Sequence, residues 1–137
     1  MSASLSLILA SMKLTDKEYK SYDELGYCIL KGFVSPQEVE ALTQRIEDIM
    51  MGKIVYEGMF FQQDPSMMEQ KPGDKKDLTF DGPSQNYRKI KDLEYDDLFL
   101  HFLQNDVFKQ MAEHYIGKNV ASMRAMVMNK PPNSPTL

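Results

Sequence analysis

Two histidines, one cysteine and a short basic run are the groups in this 137-residue chain with reactive potential. Imidazoles suit proton transfer and metal binding, yet neither histidine belongs to a ligand pattern: Leu103 lies two residues after His101, and Ile116 two after His114. The chain offers no cysteine pair, no His-x-x-x-His and no glycine-rich phosphate loop, so no metal or nucleotide scheme is assembled locally. Both histidines fall on segments of helical periodicity and read as surface or structural groups. Cys28 lies in the apolar run Tyr27-Cys28-Ile29-Leu30 and reads as a buried, unreactive thiol. Lys89, within Tyr87-Arg88-Lys89-Ile90-Lys91, reads by itself as a solvated lysine. From residue types alone, no catalytic group and no metal ligand is identified.

The elements that would position these groups are readable from periodicity and turn chemistry. Charged residues make up 26% and hydrophobic ones 42%, a composition that folds into one domain. A net charge of −4 without a long basic block argues against nucleic acid as a partner. The single cysteine fits a reducing compartment, read as cytoplasmic. Leu5 to Ala10 form an apolar patch too short to span a bilayer, and residues 1–14 read as a flexible N-terminus. Thr15-Asp16-Lys17-Glu18 has capping-box spacing and opens a helix that stops at Gly26. Tyr27 to Leu30 reads as a strand. Ser35-Pro36-Gln37-Glu38 opens a second helix with cap, proline and acid in agreement. Its inward face is Val39, Leu42, Ile46 and Ile49, and Gly52 ends it.

Residues 53–86 read as an irregular loop with the turn pairs Pro72-Gly73 and Asp81-Gly82. Its Met59, Phe60, Phe61, Met67 and Met68 are either a flexible apolar lid or a satellite core. Two short helices are expected from about Tyr95 to Ile116. Asp96 and Asp97 stand at the start of the first, and Asn105 caps the second, whose inward side is Phe108, Met111, Tyr115 and Ile116. Val120 to Met128 alternates as a strand, with Ser122, Arg124, Met126 and Met128 on one face and Ala121, Met123, Ala125 and Val127 on the other. By pattern alone Met126 is core, and Arg124 is a structural ion-pair partner.

Three segments carry a family resemblance: Lys89-Ile90-Lys91-Asp92-Leu93, His114-Tyr115-Ile116-Gly117-Lys118-Asn119-Val120, and Met123-Arg124-Ala125-Met126-Val127-Met128-Asn129-Lys130-Pro131-Pro132. Together with the aromatic, strand and Ser-Pro-x-Glu block from Tyr19 to Met51, they resemble the phytanoyl-CoA dioxygenase family of iron(II)- and 2-oxoglutarate-dependent oxygenases. The resemblance implies an α+β fold: the N-terminal part of a double-stranded β-helix, a jelly-roll or cupin-like domain, with flanking helices. Residues 15–137 would be the N-terminal half of such a domain, incomplete as given, ending ahead of the His-x-Asp pair that supplies two iron ligands. In such enzymes that pair shares a strand face because alternate strand residues do.

Two cofactor-binding residues follow from the resemblance. Lys89 stands at the lysine of the Lys-(Ile/Val)-x-Asp segment that contacts 2-oxoglutarate, a role that suits a flexible ammonium donor. Met126 stands at the methionine that packs against the same co-substrate, and the separation of the two matches the family's spacing. The parent enzyme implied would hydroxylate an aliphatic carbon with release of succinate and CO2, using Fe(II) and 2-oxoglutarate on an acyl-CoA, lipid or metabolite substrate. A halogenase or epimerase on the same scaffold remains open. The chain as given is expected to be inactive, to bind neither cofactor tightly and to be prone to self-association. The competing reading is a non-catalytic α+β interaction module or an acyl-binding protein that uses the Met and Phe loop. Thr136-Leu137 does not form a peroxisomal signal.

Overall fold

The computed structural model describes residues 12–63 and 79–130. In chain order these form α1 (Asp16–Leu25), α2 (Pro36–Met50), β1 (Phe60–Gln63), β2 (Tyr87–Lys91), a 3-10 turn (Leu93–Tyr95), α3 (Asp97–Leu103), α4 (Asp106–Ile116) and β3 (Met126–Met128). The architecture is α+β: four helices beside a three-stranded antiparallel sheet of order β1-β2-β3 among the described residues.

Local chemistry explains the helix starts. The Ser35 hydroxyl accepts from the Glu38 N–H at 3.2 Å, and the Glu38 carboxylate accepts from the Ser35 N–H at 2.8 Å. This satisfies two donors that a helix N-terminus otherwise leaves unpaired. At α1 the Glu18 carboxylate accepts from the Thr15 N–H and hydroxyl. Beyond α2, Gly52 adopts φ 69°, and a Cβ placed there would lie 2.6 Å from Cζ of Phe80. The left-handed turn and the close ring both require glycine.

The sheet has two unlike faces. Phe61, Ile90 and Val127 are register partners, so they share a face. That face packs against Ile46, Ile49 and Met50 of α2 and Phe99 of α3, with Met59, Tyr87 and Leu93 completing the core. A shift of register between Gln62 and Gln63 leaves Arg88 as an extra residue on β2. The bulge lets Tyr87 and Ile90, three residues apart, both be fully buried where strict alternation would have turned one of them out.

The structure corrects several expectations. Tyr27 to Leu30 forms no strand: Tyr27 and Ile29 are 57% and 71% exposed and Cys28 only half-buried, since no ladder partner adjoins the run among the described residues. Strand β1 lies inside the segment expected to be irregular, and Met59 and Phe61 join the main core instead of forming a lid. The strand expected over Val120 to Met128 is limited to Met126–Met128. Val39, predicted inward, is 51% exposed. On α4, Val107 is the buried anchor, while Phe108, Tyr115 and Ile116 are exposed. The Tyr115 face meets α1 instead: its ring contacts Tyr19 and Tyr22, and its hydroxyl donates to Asp23 at 2.8 Å. Residues 12–14 are tied to α4, where Gln110 bonds the Met12 carbonyl and the Leu14 N–H. The Leu5–Ala10 patch, Met67, Met68, the Pro72-Gly73 turn and the Pro131-Pro132 loop lie outside the described residues.

Candidate functional site

The sheet face turned away from the core carries the residues singled out by resemblance. Register pairs Phe60 with Lys91 and Lys91 with Met126, and pairs Gln62 with Lys89 and Lys89 with Met128. Directly opposed residues of an antiparallel pair point the same way. The outer face is therefore two rows, Phe60–Lys91–Met126 and Gln62–Lys89–Met128. Lys89 and Met126 lie diagonally across one rung of it. Met126 is 50% exposed and Met128 55%, so Met126 is not the core residue that pattern alone suggested. It belongs to an apolar surface beside two ammonium groups.

The turn after β2 holds this face in register. Asp92 takes φ 65°, a left-handed conformation tolerated by aspartate. The turn brings the N–H groups of Asp92 and Leu93 onto the Ala125 carbonyl at 3.1 and 3.4 Å. The Glu94 carboxylate accepts from the Ala125 N–H at 3.0 Å. Arg124 Nε meets Asp92 Oδ1 at 3.0 Å, which makes Arg124 a structural ion-pair partner. At the far end Asn129 donates through its side chain to the carbonyls of Tyr87 and Gln85 and through its N–H to that of Arg88. The short β3 is thus clamped at both ends, which fixes Met126 opposite Lys91.

A buried node sets the helices beneath. Asp96 is wholly buried and accepts from Arg45 at 2.8 Å, from the Tyr56 hydroxyl at 2.6 Å, and from the N–H groups of Leu98 and Phe99 at 2.9 and 3.2 Å. Burial pushes its carboxyl upward, but the Tyr56, Phe99 and Arg45 bonds outweigh that and hold it below the ordinary aspartate value. Burial also raises the Tyr56 phenol, with Asp96 adding to the rise. The node ties α2, the segment before β1 and α3 together behind the sheet. Sequence reading saw Asp96 only as a helix-start charge, because Arg45 stands 51 residues away.

Neither histidine enters the outer face. His101 lies on α3, and His114 on α4 stacks on Tyr19 with ring centroids 4.2 Å apart. No three His, Cys, Asp or Glu side chains converge as a metal set among the described residues. What the outer face can do is bind an anion: Lys89 and Lys91 face one way with no carboxylate opposite either within the sheet. Lys91 was not singled out from the sequence, and Phe60 was read only as part of a lid or a satellite core. The signal available was the two-residue period, which puts Lys91 on the side of Lys89. Separately, a cavity of about 580 Å³ opens between α4 and residues 118–122, lined by Phe108, Ala112, Ile116 and Val120 among others, and shares no residue with the sheet face.

The family profile described as Phytanoyl-CoA dioxygenase matches residues 22–136. Among curated relatives, "Phytanoyl-CoA dioxygenase, peroxisomal" of Mus musculus is 26% identical over 123 residues, covering 88% of this chain and 33% of the relative. The Homo sapiens protein of the same name is 26% identical over 124 residues with the same shares. That of Rattus norvegicus is 24% identical over 122 residues, again 88% and 33%. The chain thus spans about a third of the length of the curated relatives it matches. No solved structure matches the chain.

Proposed function

The chain belongs to the phytanoyl-CoA dioxygenase family, and we propose that its outer sheet face is the co-substrate wall of a 2-oxoglutarate-dependent oxygenase acting on a small aliphatic substrate. In that reaction one oxygen atom of O2 enters an aliphatic C–H bond. The other enters 2-oxoglutarate, which leaves as succinate and CO2. Lys89 donates to a carboxylate of 2-oxoglutarate, a charge-assisted bond available to a mobile ammonium group, and Met126 packs against the carbon chain. The sheet, with helices on its core side alone among the described residues, is read as one wall of a double-stranded β-helix whose open face looks inward.

The single observation carrying this reading is the strand register that aligns Lys89 and Met126 on one face. The described residues do not fit an iron site. A facial triad needs two imidazoles and a carboxylate around one point, whereas His101 and His114 belong to α3 and α4 and His114 is engaged with Tyr19. No ligand to iron is therefore assigned here, and this chain by itself is expected to release no succinate with Fe(II), 2-oxoglutarate and an acyl-CoA. The outer edge of β3, unpaired among the described residues, makes self-association an expected property. The relatives are named as peroxisomal proteins; our cytoplasmic placement rests on the lone cysteine, and cell fractionation decides between them.

The test is a 2-oxoglutarate titration of the whole chain followed by amide shifts. Lys89→Met should weaken binding at least about fivefold, the loss of one charge-assisted bond, with shifts centred on Lys89, Met126 and Met128. Unchanged affinity in that variant, or turnover by this chain alone, overturns the assignment.

A further inference from the structure

The outer face holds one cation more than the co-substrate role uses. Lys91 Nζ lies 4.2 Å from the centroid of the Phe60 ring, a cation–π contact, and its register partner on the other side is Met126. The side chain is thus steadied on an aromatic platform in the row next to Lys89, about 7 Å along the strand. Asp92, the nearest acid in sequence, is engaged by Arg124 at 3.0 Å, and no salt bridge to Lys91 is made among the described residues. In a chain of net charge −4, two like charges on one face with apolar Phe60, Met126 and Met128 between and beside them suit an amphiphile with an anionic head. We propose that Lys91 is a specificity-determining residue that binds the carboxylate or phosphate group of the aliphatic substrate, beside the position of 2-oxoglutarate. The proposal rests on the oxygenase reading above for the word substrate, and on the sheet geometry alone for the anion site.

Titration of the whole chain with octanoate, octanoyl-CoA and octanol, three probes that differ at the head, tests it. The chain should bind a charged probe about tenfold more tightly than octanol, the worth of one charge-assisted contact. Preference for octanoate identifies a carboxylate head, and preference for octanoyl-CoA alone identifies a phosphate one. Lys91→Met should remove the preference while weakening 2-oxoglutarate binding less than Lys89→Met does, and Lys91→Arg should keep it. Because Lys91 is half-exposed, the amide spectrum of Lys91→Met away from the sheet serves as the folding control. Three results overturn the proposal: a parent chain without preference, a Lys91→Met chain that retains it, or a Lys91→Met chain weakened toward 2-oxoglutarate but not toward the charged probe. Lys89→Met separates the two readings. If it leaves 2-oxoglutarate affinity unchanged while Lys91→Met abolishes the head-group preference, the co-substrate assignment falls and the anion site stands.

Discussion

Replacing Asp96 by asparagine alters one charge at the buried node and nothing of its shape. The carboxylate divides its work: Oδ1 accepts from the Leu98 and Phe99 N–H groups, and Oδ2 accepts from Arg45 and Tyr56. An asparagine has one accepting end. If its oxygen keeps the helix cap, its NH2 turns toward Tyr56 and Arg45. The Tyr56 hydroxyl can rotate to accept, but a guanidinium holds donors only and loses its carboxylate partner. Breaking a buried ion pair costs about 3–5 kcal/mol. The Arg45 side chain is 35% exposed, so water recovers some of this, and Asp96→Asn should cost about 2–3 kcal/mol. Against a total of about 5–15 kcal/mol, that is a large share, readable in urea unfolding followed by circular dichroism. The pH dependence supplies a second readout. The folded-state pKa of Asp96 lies below its unfolded value, so its stabilisation is complete above about pH 4 and is lost as pH falls through the lower folded value. The gap between parent and variant should therefore narrow below about pH 4 and close in stronger acid. A variant within about 0.5 kcal/mol of the parent at neutral pH, the range of inert surface changes, or a gap that acid leaves unchanged, would refute the node's role.

Two further outcomes follow from the structure. Gly52→Ala forces a Cβ into a left-handed turn 2.6 Å from the Phe80 ring, and should cost about 1–3 kcal/mol in the same urea experiment; a neutral result would mean that the turn and the ring are not closely coupled. Desolvation and the bond to Asp23 push the Tyr115 phenol up to about 12, so whatever it contributes is present below the ordinary tyrosine range and lost as pH rises through 12. Tyr115→Phe should remove one tyrosine's worth of the late ultraviolet step in a stopped-flow pH jump, and an unaltered step would place the α1–α4 contact elsewhere.

What the sequence disclosed and what it hid divide by the distance over which each interaction acts. Ser35 and Glu38 bond within one helical turn, as Asn105 does with the Val107 N–H, so their roles were readable from four adjacent letters. Strands are different, because a strand exists only where a partner does. Tyr27 to Leu30 has the composition of one and lacks a ladder among the described residues, while Phe60–Gln63 lay unrecognised in an irregular-looking segment because its partner begins at Tyr87. The bulge at Arg88 is likewise invisible locally, and reading β2 with a strict period of two would turn either Tyr87 or Ile90 out of the core. The candidate site was legible in one respect: Lys89 and Met126 were named from resemblance, and the register sets them on a common face.

The same register explains how this sheet can leave one face to the proposed site without losing its stability. Strands of four, five and three residues, with both edges open among the described residues, are too short to be held by their ladders alone. The weight falls on one face, where Phe61, Ile90 and Val127 close on α2 and α3, and on the clamps that Asp92, Glu94 and Asn129 place at the ends of β3. The alternate residues contribute little to that packing. Met126 and Met128 are exposed, where changes usually move stability by less than about 0.5 kcal/mol, and the half-buried Phe60, Gln62, Lys89 and Lys91 lie outside the core cluster. A face that is rigid in backbone and unconstrained in side chain is where ligand specificity can vary from one relative to another. Lys91 meets that condition: its backbone is fixed by two ladder partners, and its side chain serves no part of the core.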